Sequence, residues 1–218
     1  NGNIDFIELV LKGPFALSQD VQKIFDNPIE DINRNINIIF LKASQARREV
    51  LVQFAIYYAH FNNLTLIHEV YINDMTPFQY ACYDGQVEVV NTFLKYGGQS
   101  INVNFTDVYG MTALQLACNE EKPSIQVLDI LLQINGIDVN FVCSNGWTAL
   151  HHACRYGHTE VVKRLCADTR IDVNVRDPDG ETPIYLAIRR EFYDIAETLC
   201  QHPSIKINTR DRIGKTPL

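Results

Sequence analysis

The sequence predicts an all-α solenoid of short stacked repeats, and three observations carry that prediction. One phrase returns at a nearly fixed period: Gly110-Met111-Thr112-Ala113-Leu114, Gly146-Trp147-Thr148-Ala149-Leu150, Gly180-Glu181-Thr182-Pro183-Ile184 and Gly214-Lys215-Thr216-Pro217-Leu218. The threonines lie 36, 34 and 34 residues apart, and a weaker copy, Asp74-Met75-Thr76-Pro77-Phe78, stands 36 residues before the first. A second phrase keeps step: Asn102-Val103-Asn104, Asp138-Val139-Asn140, Asp172-Val173-Asn174 and Lys206-Ile207-Asn208. An alanine recurs too, at Ala81, Ala117, Ala153 and Ala187. Periods of roughly 20–50 residues belong to stacked repeats, in which each unit buries its apolar face against its neighbours.

Each repeat reads as a hairpin, two helices and a return. Asp177-Pro178-Asp179-Gly180 has Asp at the first and Gly at the last position of a four-residue turn. Asp107…Gly110 and Asp211…Gly214 repeat the device. Thr182 suits a helix N-cap, its hydroxyl accepting from an orphan backbone N–H, and Pro183 suits the next position, where no donor is needed. The recurring alanines sit inside the first helix, where small side chains let neighbouring helices approach. Gly85 and Gly157 break the chain. A second helix follows with apolar spacing, Val161, Val162 and Leu165 in one copy and Ile195, Ala196 and Leu199 in another. Ile171-Asp172-Val173-Asn174 then returns the chain in extended form.

Gly146-Trp147-Thr148-Ala149-Leu150-His151-His152-Ala153-Cys154-Arg155-Tyr156-Gly157-His158 resembles the G-x-T-x-L-H-x-A-x-x-x-G-H core of an ankyrin repeat. The resemblance runs from Asn73 to Leu218, as repeats 73–106, 107–142, 143–176 and 177–210 and the start of a fifth, 211–218. There are departures. Gln79, Gln115 and Tyr185 replace the motif histidine that His151 supplies. Extra residues near Glu120-Glu121-Lys122-Pro123 lengthen the second repeat's inter-helix turn, and Asp74 stands where Gly is expected in the first.

The N-terminal third is less regular. Val50, Leu51, Phe54, Ala55 and Tyr58 line one helical face, and Leu64, Ile67 and Val70 line another. Residues 47–72 therefore read as a degenerate ankyrin-like helix pair capping the stack. Residues 1–46 read as a helical region, with an amphipathic helix at Ile4–Lys12 and an Asn- and Asp-rich loop at 26–37. The sequence stops as the fifth repeat's first helix begins. An uncapped repeat end exposes apolar surface, so a chain that continues further is expected to be more stable.

Composition narrows the function. The chain has 218 residues, 46% hydrophobic, with net charge −7, which argues against nucleic acid or an anionic membrane as main partner. No run approaches the roughly 18 apolar residues of a membrane span, and no secretory signal is visible, though the chain lacks an initiating Met. The six cysteines form no CxxC. Cys82, Cys118 and Cys154 each follow the repeat alanine and read as small apolar packing groups, reduced, in a cytoplasmic protein. That reading conflicts with the two short sequons, Asn63-Leu64-Thr65 and Asn104-Phe105-Thr106. Ile213-Gly214-Lys215-Thr216 imitates the end of a phosphate-binding loop, but Thr209 stands where that loop needs Gly. His151-His152 beside Cys154 hints at metal or nucleophile chemistry, yet the two histidines lie about 100° apart round a helix, and His151 holds the repeat's structural position. No catalytic, metal or cofactor site is expected.

The ankyrin resemblance implies that a partner protein or peptide meets the concave face, made of hairpin tips and the exposed end of the first helix. Those positions are Tyr109 and Met111, Asn145 and Trp147, Asp179 and Glu181, and Ile213 and Lys215 at the tips, with Tyr83, Asp84, Asn119, Glu120, Arg155, Tyr156, Arg189 and Arg190 on the helices. Trp, Tyr and Arg are the residue types that dominate binding hot spots. Charge grades from Glu120 and Glu121 to Arg155, Arg189 and Arg190, so an acidic part of the partner is expected over the three arginines. The expected molecule is a monomeric, non-enzymatic scaffold or adaptor. The alternative is a substrate-recruiting segment of a larger enzyme or signalling protein.

Overall fold

The computed structural model of the chain describes residues 75–97, 101–119 and 123–217. The expectations for the helical region 1–46, the helix pair 47–72, Glu120 to Lys122 and Leu218 lie outside them. The chain divides into two compact units, residues 1–77 with 88–101, and residues 78–87 with 102–218.

The helices among the described residues are α1 (Pro77–Tyr83), α2 (Val87–Gly97), α3 (Ala113–Asn119), α4 (Ile125–Leu132), α5 (Ala149–Tyr156), α6 (Thr159–Ala167), α7 (Pro183–Arg189) and α8 (Tyr193–Cys200). Within the first unit, α2 buries Val89, Val90 and Phe93, and the Thr92 hydroxyl donates back to the Glu88 carbonyl at 2.9 Å.

In the second unit α3, α5 and α7 pack side by side as one layer and α4, α6 and α8 as another. The repeat alanines Ala117, Ala153 and Ala187 lie at the centre of the first layer, with at most 1% of their surface exposed. A larger side chain there would push the layer apart, because interiors are packed to crystal density. Leu114, Leu150 and Ile184 fill the hairpin side of the core; Val127, Leu131, Val162, Leu165, Ile195 and Leu199 fill the space between the layers. Residues 120–124 separate α3 from α4, whereas only Gly157 and His158 separate α5 from α6, so the second repeat's turn is the longer one, as its extra residues require.

The hairpins are turns without a β-ladder. Among the described residues of this unit no strand forms. Each hairpin closes on one backbone pair, such as Asp177 N–H to the Glu181 carbonyl at 3.0 Å and Gly180 N–H to the Asp177 carbonyl at 2.9 Å. The Asp side chain then fills the loop from within. Asp177 Oδ1 accepts from Asp179 N–H and Glu181 N–H at 3.0 and 2.8 Å, and Asp107 and Asp211 do the same two and four residues on. The expected extended return also differs. Val139-Asn140 and Val173-Asn174 form turns, because Asp138 and Asp172 accept the N–H two residues ahead.

Two hydrogen-bond ladders hold successive repeats in register. On the return side, the Asn140 amide donates to the Arg170 carbonyl and accepts from Asp172 N–H, both at 2.8 Å. Asn104 makes the same pair with Gly136 and Asp138, and Asn174 with Ser204 and Lys206. The Asn104 amide nitrogen, the only atom of its sequon that could carry a sugar, is therefore engaged by the fold.

The second ladder runs through the motif-histidine position and accounts for its substitutions. His151 Nδ1 accepts from Thr148 N–H at 3.2 Å and lies 2.8 Å from its hydroxyl, completing a capping box at the start of α5. Its Nε2 reaches the Glu181 carbonyl of the next hairpin at 3.4 Å. Gln115 does the same with an amide: Oε1 accepts from Thr112 N–H, while Nε2 donates to the Phe141 and Trp147 carbonyls at 2.9 and 2.7 Å. Gln79 donates to Phe105 and Met111. Tyr185 reaches forward to Asp211 Oδ2 at 2.8 Å. Tyr185 gives the Thr182 hydroxyl no side-chain partner, and although Thr182 holds the N-cap position its expected cap bond does not form. Its hydroxyl is buried with no hydrogen-bond partner.

Candidate functional site

The hairpin tips of the second unit project from this laddered scaffold, and the structure sorts the expected contact residues into exposed and engaged groups. Tyr109 is 63% exposed and Ile213 74%. Asn145, Asp179, Arg190 and Lys215 are exposed, and Tyr156 is exposed with its ring stacked on His158 at 6.0 Å. Tyr83 and Asp84 are half-buried at the end of α1, where Asp84 Oδ2 accepts from Gln86 Nε2 at 2.7 Å. Glu120 lies outside the described residues.

Met111 and Glu181 are corrected. Both stand at tips in the sequence, but Met111 is 8% exposed and Glu181 7%. Each is followed by the repeat threonine, and the helix starts two residues on. Glu181 is ion-paired with Arg189 Nη1. Burial raises the pKa of its carboxyl, and the Arg189 charge opposes that rise. Arg189 is thus part of a bridge from tip to helix, and a partner's carboxylate would have to compete with Glu181 for it.

Trp147, expected as a tip contact, is partly engaged by the fold. It is half-buried, its Nε1–H donates to Asp177 Oδ2 at 3.2 Å, and His152 meets its ring edge-on at 5.2 Å. Arg155 lies over its face, 5.1 Å from the ring centroid, a geometry in which the guanidinium is attracted by the ring quadrupole. The three arginines therefore stand in three states: Arg155 stacked on Trp147, Arg189 paired with Glu181, and Arg190 exposed.

The backbone between tips is paired at some steps and broken at one. Ser144 N–H donates to the Tyr109 carbonyl at 3.2 Å, and Arg212 N–H to the Asp179 carbonyl at 2.7 Å. The equivalent donor between these two steps is missing because Pro178 has no N–H. Its ring packs against Gly146 instead, where an added Cβ would meet Pro178 Cδ at 2.2 Å. The Trp147–Asp177 bond supplies the link across this step.

Sequence reasoning passed over Cys143. It occupies the turn position that Asp107, Asp177 and Asp211 hold in the other hairpins. Asn145 takes over the carboxylate's role: its Oδ1 accepts from Trp147 N–H at 3.1 Å and from the Cys143 thiol at 2.8 Å. The signal was available, since aligning the four hairpins leaves this one without its Asp. Beside it a cavity of about 310 Å³ opens between the second and third tips, lined by Val108, Tyr109, Met111, Cys143, Ser144 and Asn145.

No group of three or more His, Cys, Asp or Glu among the described residues could hold a metal ion. No described helix is long and apolar enough to cross a membrane. Burial lowers the pKa of both His151 and His152 to about 4, so both rings are neutral at pH 7.

A family model described as ankyrin repeats (3 copies) matches residues 39–140 and 121–211. No curated protein matches the chain. With the period, the capping box, the two-layer packing and a family match over most of its length, the chain belongs to the ankyrin repeat family.

Proposed function

We propose that this chain is a non-enzymatic protein-interaction module, a scaffold or adaptor whose partner protein or peptide docks across the hairpin tips and the adjoining ends of the first helices. Ankyrin repeats generally mediate protein–protein interaction. One observation carries the finer reading. The ladders run through the return turns and the motif-histidine positions, while the side chains of Tyr109, Asn145, Asp179 and Ile213 are exposed at successive tips. Side chains presented at a fixed period on a rigid frame lose little conformational freedom on binding. Arg155, held over Trp147, and the exposed Arg190 favour a partner with an acidic segment.

The test compares captures from lysate by the native chain, by a variant carrying Tyr109→Ser, Ile213→Ser and Arg190→Glu, and by a second-layer variant carrying Lys163→Glu and Glu197→Lys. All five side chains are exposed, so folding is expected to survive. A partner lost only by the tip variant supports the proposal. A partner lost only by the second-layer variant moves the interface to the α4, α6 and α8 side.

A further inference from the structure

We propose that Asn135, in the return turn of the second repeat, is a spontaneous modification site. With water as the only co-reactant, its side chain cyclises onto the Gly136 nitrogen and opens to aspartate or isoaspartate. Asn-Gly pairs are open to this reaction because glycine puts no side chain beside its nitrogen and leaves the backbone free to turn. The chain has three such pairs, Asn1-Gly2, Asn135-Gly136 and Asn145-Gly146. The first lies outside the described residues. The other two stand in opposite states. At the third tip Gly146 N–H donates to the Cys143 carbonyl at 2.8 Å. Asn145 Oδ1 accepts from the Cys143 thiol at 2.8 Å and from Trp147 N–H at 3.1 Å. Both reacting groups are therefore held, and Pro178 packs against Gly146.

At the return turn both groups are free. Asn135 and Gly136 are exposed, and a Cβ on Gly136 would meet nothing within 4 Å. Among the described residues, neither the Asn135 side chain nor Gly136 N–H makes a hydrogen bond. The turn that carries them closes on one bond, Ile137 N–H to the Ile134 carbonyl at 3.3 Å, with Gly136 at φ 83° in its third position. The sister repeats supply what is missing here. Gly136, Arg170 and Ser204 are equivalent, since each gives its carbonyl to the ladder Asn of the preceding repeat. Arg170 N–H is taken by Asp168 Oδ1 at 2.9 Å and Ser204 N–H by His202 Nδ1 at 3.3 Å. Two residues before Gly136 stands Ile134, which has no acceptor to offer.

The reaction balances as an amide hydrolysis. The Gly136 nitrogen gives its proton to water and bonds to Asn135 Cγ. The Cγ–Nδ2 bond breaks, and Nδ2 takes up a proton from water and leaves as ammonia. A second water opens the five-membered ring. Attack at Cγ gives aspartate. Attack at the main-chain carbonyl carbon gives isoaspartate, which routes the backbone through Cγ and lengthens it by a methylene. That insertion displaces the Gly136 carbonyl and Asp138 N–H, the two groups that Asn104 holds at 2.8 and 2.9 Å. The modification thus cuts the return-side rung between the first and second repeats.

The experiment ages the folded chain at pH 7.5 and follows each Asn-Gly peptide by mass spectrometry, with enzymatic isoaspartyl methylation to score the isomer. Asn135 is expected to convert roughly 10–100-fold faster than Asn145, the worth of the bonds that hold Asn145 and Gly146. In urea the two should react at one rate, because the difference comes from the fold. Ile134→Asp, which copies Asp168, should slow Asn135 roughly 2–10-fold and leave Asn145 unchanged. In the aged native chain, amide exchange should quicken at Asp138 and stay the same at Asp172, which Asn140 holds. Equal rates at Asn135 and Asn145 in the folded chain, or an unchanged Asn135 rate in Ile134→Asp, overturns the proposal.

Discussion

Replacing His151 by Gln should leave the protein as stable at neutral pH and make it more resistant to acid. At neutral pH the ring uses both nitrogens, Nδ1 as acceptor for Thr148 and Nε2 toward the Glu181 carbonyl. Protonation would place a second N–H against the Thr148 N–H donor. Burial is the main reason the pKa falls from 6.5 to about 4, opposed by the Glu181 and Val175 carbonyls and by Asp177. The sign follows from proton uptake. Between those two values the unfolded chain binds a proton that the folded ring refuses, so the stabilisation is complete above about pH 6.5 and is lost as the pH falls toward 4. At about 1.4 kcal/mol per pH unit, the loss from this ring is about 2 kcal/mol by pH 5. Gln supplies the same bonds without a titrating group. Gln115 already donates to Phe141 and Trp147, the counterparts of Val175 and Glu181 one repeat on. Urea midpoints followed by circular dichroism at pH 7.5 and pH 5 provide the assay. His151→Gln should match the native chain within about 1 kcal/mol at pH 7.5 and be about 2 kcal/mol the more stable at pH 5. At pH 5 that corresponds to a Tm gain of roughly 4–8 °C. Part of the acid loss should remain, because His152 is lowered in the same way. An unchanged difference between the two pH values would refute the reasoning.

Other substitutions probe the scaffold. Glu191 holds φ 63° where the third repeat has Gly157, and a non-Gly residue in that conformation costs roughly 1–2 kcal/mol; Glu191→Gly should raise the urea midpoint. Gly146→Ala should do the reverse by about 2–4 kcal/mol, since it combines φ 84° with a Cβ meeting Pro178 Cδ at 2.2 Å; an unchanged thermal midpoint would contradict the close packing. Asn140→Ala removes its two return-side bonds between the second and third repeats and should cost about 1–2 kcal/mol, with faster amide exchange at Asp172. Trp147→Phe keeps a ring under Arg155 but loses the bond to Asp177; it should destabilise by about 1 kcal/mol, and no change would mean that bond contributes nothing.

The sequence by itself determined the repeat, its period, its helices and the Asp-to-Gly turn of each hairpin. The information for those lies within a few residues. Asp177 reaches Glu181 N–H, Thr148 and His151 cap one another, and the alanines recur at one helical position. The same local signals misled at Thr182, which holds the N-cap position but makes no side-chain cap bond. Tertiary structure decided which tip side chains are free and which are spent. Trp147 is engaged by Asp177, one repeat away. The cavity exists only where Tyr109 meets Ser144 and Asn145 of the following hairpin. Gln79, Gln115, His151 and Tyr185 look unrelated along the chain, yet each bonds the next hairpin. A local pattern specifies where a side chain starts. Its neighbour one period on, brought close only by stacking, decides whether it ends in solvent or in the fold.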